Sequence, residues 1–291
     1  MSKLKWFLLK ILYFVSLILP DRIYLILIYF FKTGKLLNLI NPKTYNEKIQ
    51  WLKLYDRNNK YTIMADKYEV KKYVSEIIWE EYTVPTLWIY NTFDDIDFNK
   101  LPCKFVIKCT HDSWWVIIIK DKNEINYDEL KQKINKFLKR RYYLLRWEWV
   151  YKNIKPRIII EKYMEDKNYH ELRDFKFFTF GWKVRLMFIA TNRQWKWETY
   201  FDFFDEKFNH LKITNWHPMN PNTPEKPKNF DKMIELAEIL SNDIPHLRVD
   251  FYEINWKIYF WEFTFYHWWG IIPFKPDKWN YTIWNWIILP K

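Results

Sequence analysis

A tryptophan sits where this chain most needs a glycine. Residues 249–254 and 257–264 are two runs of alternating apolar residues, separated by Asn255-Trp256. Two-residue β-hairpins favour Asn-Gly there, because a type I′ turn needs φ > 0 at both central positions. A side chain with a bulky Cβ substituent resists that backbone. Phe180-Gly181-Trp182-Lys183 and His267-Trp268-Trp269-Gly270 are similar tight, polar-flanked spots. The chain has 19 tryptophans and only 3 glycines in 291 residues. That is about 1% glycine, where ordinary proteins have roughly 7%.

The pattern predicts that many tryptophans occupy glycine positions. UGA means tryptophan in one variant genetic code and glycine in another, and translation with the wrong table would produce such a chain. The suspect positions are Trp79, Trp88, Trp114, Trp115, Trp147, Trp182, Trp195, Trp197, Trp216, Trp256, Trp261, Trp268, Trp269 and Trp284. Glycine at all of them would bring its share to about 6%, close to the ordinary value. A Trp-rich, carbohydrate-binding surface is the competing explanation, but it gives no reason for glycine to be scarce. Heavy use of Lys, Ile, Asn, Tyr and Phe fits an AT-rich genome with a reassigned stop codon.

A chain of this length can form one large domain or two small ones, with a sizeable core. It carries 47 Lys and Arg against 35 Asp and Glu, a net charge of +12. That suits an anionic partner: a nucleotide, an acidic glycan, anionic lipid or nucleic acid. Solvated lysines of a Lys-rich proteome would give the same balance. Cys103 and Cys109 make neither a disulfide framework nor a metal spacing, which points to a reduced, cytoplasmic setting. Residues 6–19 and 23–31 are apolar, but Pro20-Asp21-Arg22 interrupts them. Neither run reaches the roughly 18–20 residues of a spanning helix. Lys3 and Lys5 precede the first run as in a signal peptide, yet no small-residue cleavage site follows. Residues 1–40 read as an apolar segment of two short helices, packed on the domain or lying at the inner face of the membrane. Residues 41–291 read as the domain proper.

Residues 40–80 look helical, with a start signal at Asn41-Pro42-Lys43-Thr44. Strands are expected at 105–108, 115–120, 157–163, 174–180, 183–190 and 198–204, and helices at 127–141 and 230–240. The hairpin at 247–265 closes the set. Antiparallel hairpins mixed with helices read as α+β.

Four clusters carry chemistry. Lys108 ends a strand before Cys109-Thr110-His111-Asp112-Ser113-Trp114-Trp115. With glycine at 114 and 115 this loop would let backbone N–H groups approach phosphate oxygens; otherwise it is an ordinary hairpin with a surface lysine. His111, Asp112 and Ser113 are contiguous and cannot converge as a hydrolytic triad. Arg248-Val249-Asp250 and Trp261-Glu262 sit on the two arms of one hairpin. Regular pairing about Asn255-Trp256 sets Asp250 opposite Trp261, one residue from Glu262. Two such carboxylates can share Mg²⁺ beside phosphates, or be plain surface acids. Glu161 and Lys162 end an apolar strand and ask for partners. Asp174 and Lys176, at i and i+2, point to one face.

In this order the motifs resemble the TupA-like ATP-grasp family, associated with cell-surface polysaccharide and teichuronopeptide synthesis. The marks are Asn41-Pro42-Lys43-Thr44-Tyr45-Asn46-Glu47-Lys48-Ile49-Gln50-Trp51, Ala65-Asp66-Lys67, 105–115, 151–157, 161–164, Asp174-Phe175-Lys176-Phe177-Phe178 and Arg248-Val249-Asp250-Phe251-Tyr252. They run from about Asn41 to Pro290. The resemblance implies an ATP-grasp fold, two α+β subdomains clasping a nucleotide behind the N-terminal helices. It implies that Lys67 and Lys108 contact ATP phosphates, and that Ser113, Trp114 and Trp115 form the loop covering them. Glu161, Lys162 and Met164 would be the adenine hinge, with Asp174 near the ribose and Lys176 facing the nucleotide. Arg248 would steady the transferring phosphoryl group, and Asp250 and Glu262 would hold Mg²⁺. Thr264 stands where many such ligases have an asparagine, so a second metal is doubtful. The Trp268-Trp269-Gly270 segment would lie near the acceptor or phosphate.

The implied reaction is ATP-dependent activation of a carboxylate as an acyl phosphate, then attack by an amine, with release of ADP and phosphate. Its partners would be ATP, an acidic small molecule or glycan with a carboxylate, and an amine. A glycosyltransferase of surface-polysaccharide synthesis is an alternative, but the single Asp-x-Asp spacing, Asp95-Ile96-Asp97, lies in a linker. A non-catalytic protein binding acidic glycan is a second. No nucleic-acid-binding pattern is present.

Overall fold

The computed structural model describes residues 19–113, 115–169, 171–193 and 199–291. Most of the first apolar run, Trp114, Trp195 and Trp197 lie outside them. Helices α1 (Asp21–Thr33), α2 (Tyr45–Tyr55), α3 (Lys60–Ala65) and α4 (Glu69–Ile78) come first. Strands β1 (Thr86–Tyr90), β2 (Phe105–Cys109) and β3 (Val116–Ile119) follow, then α5 (Tyr127–Leu138), α6 (Tyr143–Arg146) and β4 (Ile158–Lys162). The second half holds β5 (Asp174–Phe180), β6 (Lys183–Thr191), β7 (Tyr200–Phe204), β8 (His210–Leu211), α7 (Phe230–Leu240), β9 (His246–Ile254), β10 (Lys257–Thr264) and α8 (Lys278–Trp286). The chain is α+β, as expected.

Two antiparallel sheets result. The smaller has the order β1-β4-β2-β3 and the larger β10-β9-β5-β6-β7-β8. Helix α5 lays Leu130 and Ile134 on the small sheet, against Phe105, Ile107, Ile158 and Ile160. Helix α7 covers the large sheet, where Phe230, Met233, Leu236 and Ala237 join Phe175, Phe177 and Phe251 in the main core. β5 and β9 are central strands buried along their whole length. Their charged residues must therefore neutralise one another, and this requirement builds the site.

The start signal at Thr44 is a capping box: Thr44 Oγ1 accepts from Glu47 N, and the Glu47 carboxylate accepts from Thr44 N. Helix α4 buries Val70, Val74 and Ile78, one stripe at i, i+4, i+8. Helix α1 packs on the domain: Tyr24, Leu25 and Tyr29 are buried with Leu37, Leu39, Leu144 and Trp147. Among the described residues no helix is long and apolar enough to cross a membrane.

The β9–β10 register corrects the expected one. Pairing runs regularly from Lys257↔Ile254 to Phe260↔Phe251, then shifts, so that Glu262, not Trp261, faces Asp250. Trp261 is the extra residue of a β-bulge. A bulge inserts one unpaired residue into one strand. Side chains alternate between faces, so without the bulge Asp250 and Glu262 would point to opposite sides of the sheet. With it they share one face.

The tryptophan prediction finds its counterpart in the backbone. Trp79 (φ 74°), Trp147 (56°), Trp182 (135°), Trp216 (71°), Trp256 (65°), Trp268 (44°) and Trp269 (59°) all have positive φ. Every one belongs to the suspect set, whose other described members, Trp88, Trp115, Trp261 and Trp284, are not among the positive-φ residues. Trp51, Trp149, Trp279 and Trp286, outside that set, are not among the positive-φ residues. Trp79 ends α4 at φ 74°, ψ 155°, a region that is essentially glycine-only. Asn255 (φ 50°) and Trp256 form the expected turn.

Candidate active site

A trough runs between the two sheets. Its inner part is a cavity of about 370 Å³ with Lys67, Lys71, Lys108 and Glu161 on one wall and Lys176, Arg248 and Glu262 on the other. Its outer part, about 390 Å³, is bordered by Val106, Ile118, Lys162, Tyr163, Met164 and Tyr252. Val84, Val116, Glu161, Arg193 and Trp261 line both. One end is thus dense in cations, and the other mixes apolar side chains with the chain segment after β4.

On the small sheet, β2 and β4 pair so that Lys108 and Glu161 come together across the strands. Glu161, fully buried, forms ion pairs with both Lys108 and Lys71. Burial alone would raise its carboxyl. The two ammonium groups outweigh that and hold it down at about 2. Burial pushes the Lys108 ammonium down to about 8, against the pull of Glu161. Lys108 Nζ also sits 3.4 Å from the centre of the Trp261 ring, a cation–π contact.

On the large sheet, Lys176 of β5 pairs with Asp250 of β9, and its ammonium reaches Asp174 Oδ2 at 2.7 Å. Arg248 grips Asp250 with two hydrogen bonds, Nε to Oδ1 at 2.7 Å and Nη2 to Oδ2 at 2.6 Å. Burial would raise the Asp250 carboxyl, but Arg248 and Lys176 hold it below the usual range. Glu262 is 3.6 Å from Arg248 Nη2 and 3.9 Å from Lys67 Nζ, with its side chain about a quarter exposed. Among the described residues no cluster of three or more His, Cys, Asp or Glu is positioned to hold a metal. The donor set is instead two carboxylates facing across a hairpin. Asp250 accepts three hydrogen bonds and, with roughly four lone-pair sites, keeps capacity on its oxygens. Of the two, only Glu262 lines the cavity; Asp250 would join it on a hard divalent ion beside phosphate only by turning an oxygen away from Arg248 or Lys176.

The remaining motifs hold these walls in place. Arg157 joins Asp66 and Glu69, each at 2.9 Å, and so anchors the segment that presents Lys67. Lys67 N donates to Thr110 O, Thr110 N donates to Arg157 O, and Arg157 N donates to Thr110 Oγ1. From α2, Gln50 Nε2 donates to Trp269 O and Gly270 O, while Lys53 Nζ donates to Arg146 O and Trp269 O. A Cβ at Gly270 would meet Ile49 Cγ2 at 2.7 Å, so the 267–270 turn can press on α2 only through a glycine.

Lys67, Lys108, Ser113, Glu161, Lys176, Arg248 and Glu262 thus meet in the inner cavity, and Lys162 and Met164 join Glu161 at the outer one. Asp174 and Asp250 lie fully buried behind the wall, held by Lys176 with Arg193 and Arg248. The Trp115 ring stacks on Phe137, 4.3 Å between centres. Trp114 is outside the described residues. Thr264 lines the cavity and pairs with Arg248. Asp95 and Asp97 cap two short turns, accepting from Thr92 N and Asn99 N. Sequence reasoning missed Lys71 and Glu148. Lys71 lies in the first turn of α4, four residues after Lys67, which belongs to the turn before that helix, and its approach to Glu161 is set by packing. Glu148, a buried acid of the inner cavity whose carboxyl is raised by burial, carries no local signal.

A comparison with curated proteins found no match. Solved structures give matches that are weak in overall superposition. The D-alanine–D-alanine ligase from Bacillus anthracis complexed with ATP is 16% identical, with 69% of this chain and 53% of that chain covered and a TM-score of 0.40. A RimK-domain ATP-grasp protein from Sphaerobacter thermophilus is 8% identical, covering 72% and 60%, TM-score 0.41. The ATP-grasp ligase PsnB complexed with minimal precursor, Mg and ADP is 7% identical, covering 71% and 52%, TM-score 0.40. The matched part of this chain spans between about half and 60% of those proteins. The sequence profile of the TupA-like ATP-grasp family matches residues 47–287. The interlocked motifs around the trough and this match over most of the chain agree, and the chain belongs to the TupA-like ATP-grasp family.

Proposed function

We propose that this protein is an ATP-dependent carboxylate–amine ligase that forms ADP and acts in cell-surface polysaccharide or teichuronopeptide synthesis. The observation that carries the reading is the bulge-set pair Asp250 and Glu262 on one face of the hairpin, with Glu262 lining the cavity beside Arg248, Lys176, Lys67 and Lys108 and Asp250 buried just behind it. In this reading adenine lies in the outer cavity, along Glu161, Lys162 and Met164, with Asp174 and Arg193 on the ribose side. Lys67, Lys108 and the 113–115 loop hold the phosphates in the inner cavity. Asp250 and Glu262 would hold Mg²⁺, which neutralises charge on the phosphoryl oxygens during transfer. Arg248 stabilises the phosphoryl group as it moves to the substrate carboxylate, and no protein nucleophile is used. The amine then displaces phosphate from the acyl phosphate. The net charge of +12 suits an acidic polymer or a uronic or amino acid as the carboxylate.

The test is calorimetric titration of Mg-ATP, followed by ADP release with hydroxylamine as the amine and a panel of uronic and amino acids as carboxylates. Carboxylate-dependent ADP and hydroxamate are expected. Absence of Mg-ATP binding by the folded chain would sink the reading, and turnover only with a sugar nucleotide would favour the glycosyltransferase.

A further inference from the structure

Arg248 is gripped on two sides. Asp250 holds Nε and Nη2, and the third bond runs backward, from Nη1 to His267 Nδ1 at 2.7 Å. His267 Nε2 meets Asn215 Oδ1 at 2.8 Å. The Asn215 amide nitrogen donates to two backbone carbonyls, Ile272 O at 3.2 Å and Pro273 O at 3.1 Å. Thr214 and Lys275 exchange a pair of backbone hydrogen bonds beside it, at 2.9 and 2.8 Å.

Partner chemistry fixes every proton in this chain. The Asn215 nitrogen faces two acceptors, so its oxygen faces the imidazole. That oxygen cannot donate, so His267 carries its proton on Nε2. A guanidinium cannot accept, so Nδ1 receives the Arg248 N–H. We propose that His267 and Asn215 are positioning residues of the active site, holding the Arg248 guanidinium in place through a single imidazole tautomer. Three of its five N–H donors are then committed, and the others remain for a phosphoryl or carboxyl oxygen in the cavity that Arg248 lines.

The surroundings of His267 keep it neutral. Burial and the charges of Arg248, His246 and Lys176 all act to lower its pKa. Phe178 and Phe188 of β5 and β6, Phe274 and Trp268 supply the rest of its ring contacts. An imidazolium would also turn an N–H against the Arg248 N–H.

The assignment of a function to this tautomer rests on the ligase reading, while the tautomer itself does not. Histidine-¹⁵N-labelled full-length protein, examined by two-bond ¹⁵N–¹H correlation with His267→Asn for assignment, reads it directly. A neutral Nε2–H ring that does not titrate between about pH 5 and 8 is expected; an Nδ1–H ring or a midpoint in that range overturns the relay. Titrations of Mg-ATP and Mg-ADP give the functional readout. His267→Phe should bind Mg-ATP about tenfold more weakly, with Mg-ADP within about twofold of wild type. His267→Asn places an acceptor near Nδ1 and should restore most of the ATP affinity. Equal loss for both nucleotides, or no rescue by asparagine, refutes positioning. If the wild-type chain binds neither nucleotide, the ATP site falls, and the spectrum still decides the relay.

Discussion

Replacing Trp79, Trp182, Trp216 and Trp256 together by glycine should stabilise the fold. These residues are 67%, 52%, 65% and 39% exposed, so little packing is lost. Their φ values of 74°, 135°, 71° and 65° each strain a residue with a Cβ by about 1–3 kcal/mol. Against this, glycine costs about 0.5–1 kcal/mol of extra chain entropy on folding. Surface contacts such as Lys228 Nζ over the Trp256 ring at 3.4 Å are worth another ~0.5 kcal/mol. Taking the middle of each range, the net gain is about 0.75 kcal/mol per site, or roughly 3 kcal/mol for four distant sites that add. Urea unfolding followed by far-ultraviolet circular dichroism, which does not depend on indole fluorescence, measures it. The control is Trp51→Gly, inside α2 and packed on the main core, which should lower the midpoint. If the fourfold variant is no more stable than the parent, or if both variants lose stability alike, backbone strain is not what distinguishes these positions.

Glu262→Gln should leave unfolding within about 1 kcal/mol of the parent, because Glu262 is partly exposed, yet abolish the Mg²⁺-dependent gain in ATP affinity measured by titration. Asp250→Asn should destabilise by roughly 3–5 kcal/mol, since it strands the buried Arg248 and Lys176 charges; urea midpoints compare the two. Glu161, held at about 2 in the fold against 4.5 as its ordinary value, contributes stability that is complete above about pH 4.5 and is lost as pH falls toward 2. The loss is on the order of 3 kcal/mol, so unfolding of Glu161→Gln should be flatter than the parent's over that window. Trp261→Gly, at the residue that lines both parts of the trough, should open the seam between them and tighten Mg-ATP binding; unchanged affinity would mean the indole does not obstruct the nucleotide.

Much of this architecture could be read from the chain because local chemistry and tertiary need agree. Phe230–Leu240 was bounded as the structure has it, since one apolar stripe faces the sheet. The β5–β6 hairpin and the Thr44 cap were equally plain. Strand β1 was not, because Thr86–Tyr90 is half-buried along its length and shows no alternation. Helix α8, with three tryptophans in nine residues, has no clean helical period. Within the site, Lys67, Lys108, Lys176 and Arg248 were legible through motif order. The pairing of Lys71 with Glu161 and the His267–Asn215 link were not, for they join residues far apart in sequence whose meeting only the packed sheets decide.

The bulge at Trp261 also turns into a counting rule. Across a two-residue turn, regularly paired residues differ by an odd number of positions, as 254 and 257 do. Asp250 and Glu262 are separated by an even number, so no unbroken hairpin can put them on one side. Parity therefore makes the irregularity compulsory wherever this spacing of the two acids is kept. Lengthening the hairpin tip by one residue in each arm preserves the pair, whereas inserting or deleting one residue in a single arm sends one carboxylate to the far side of the sheet.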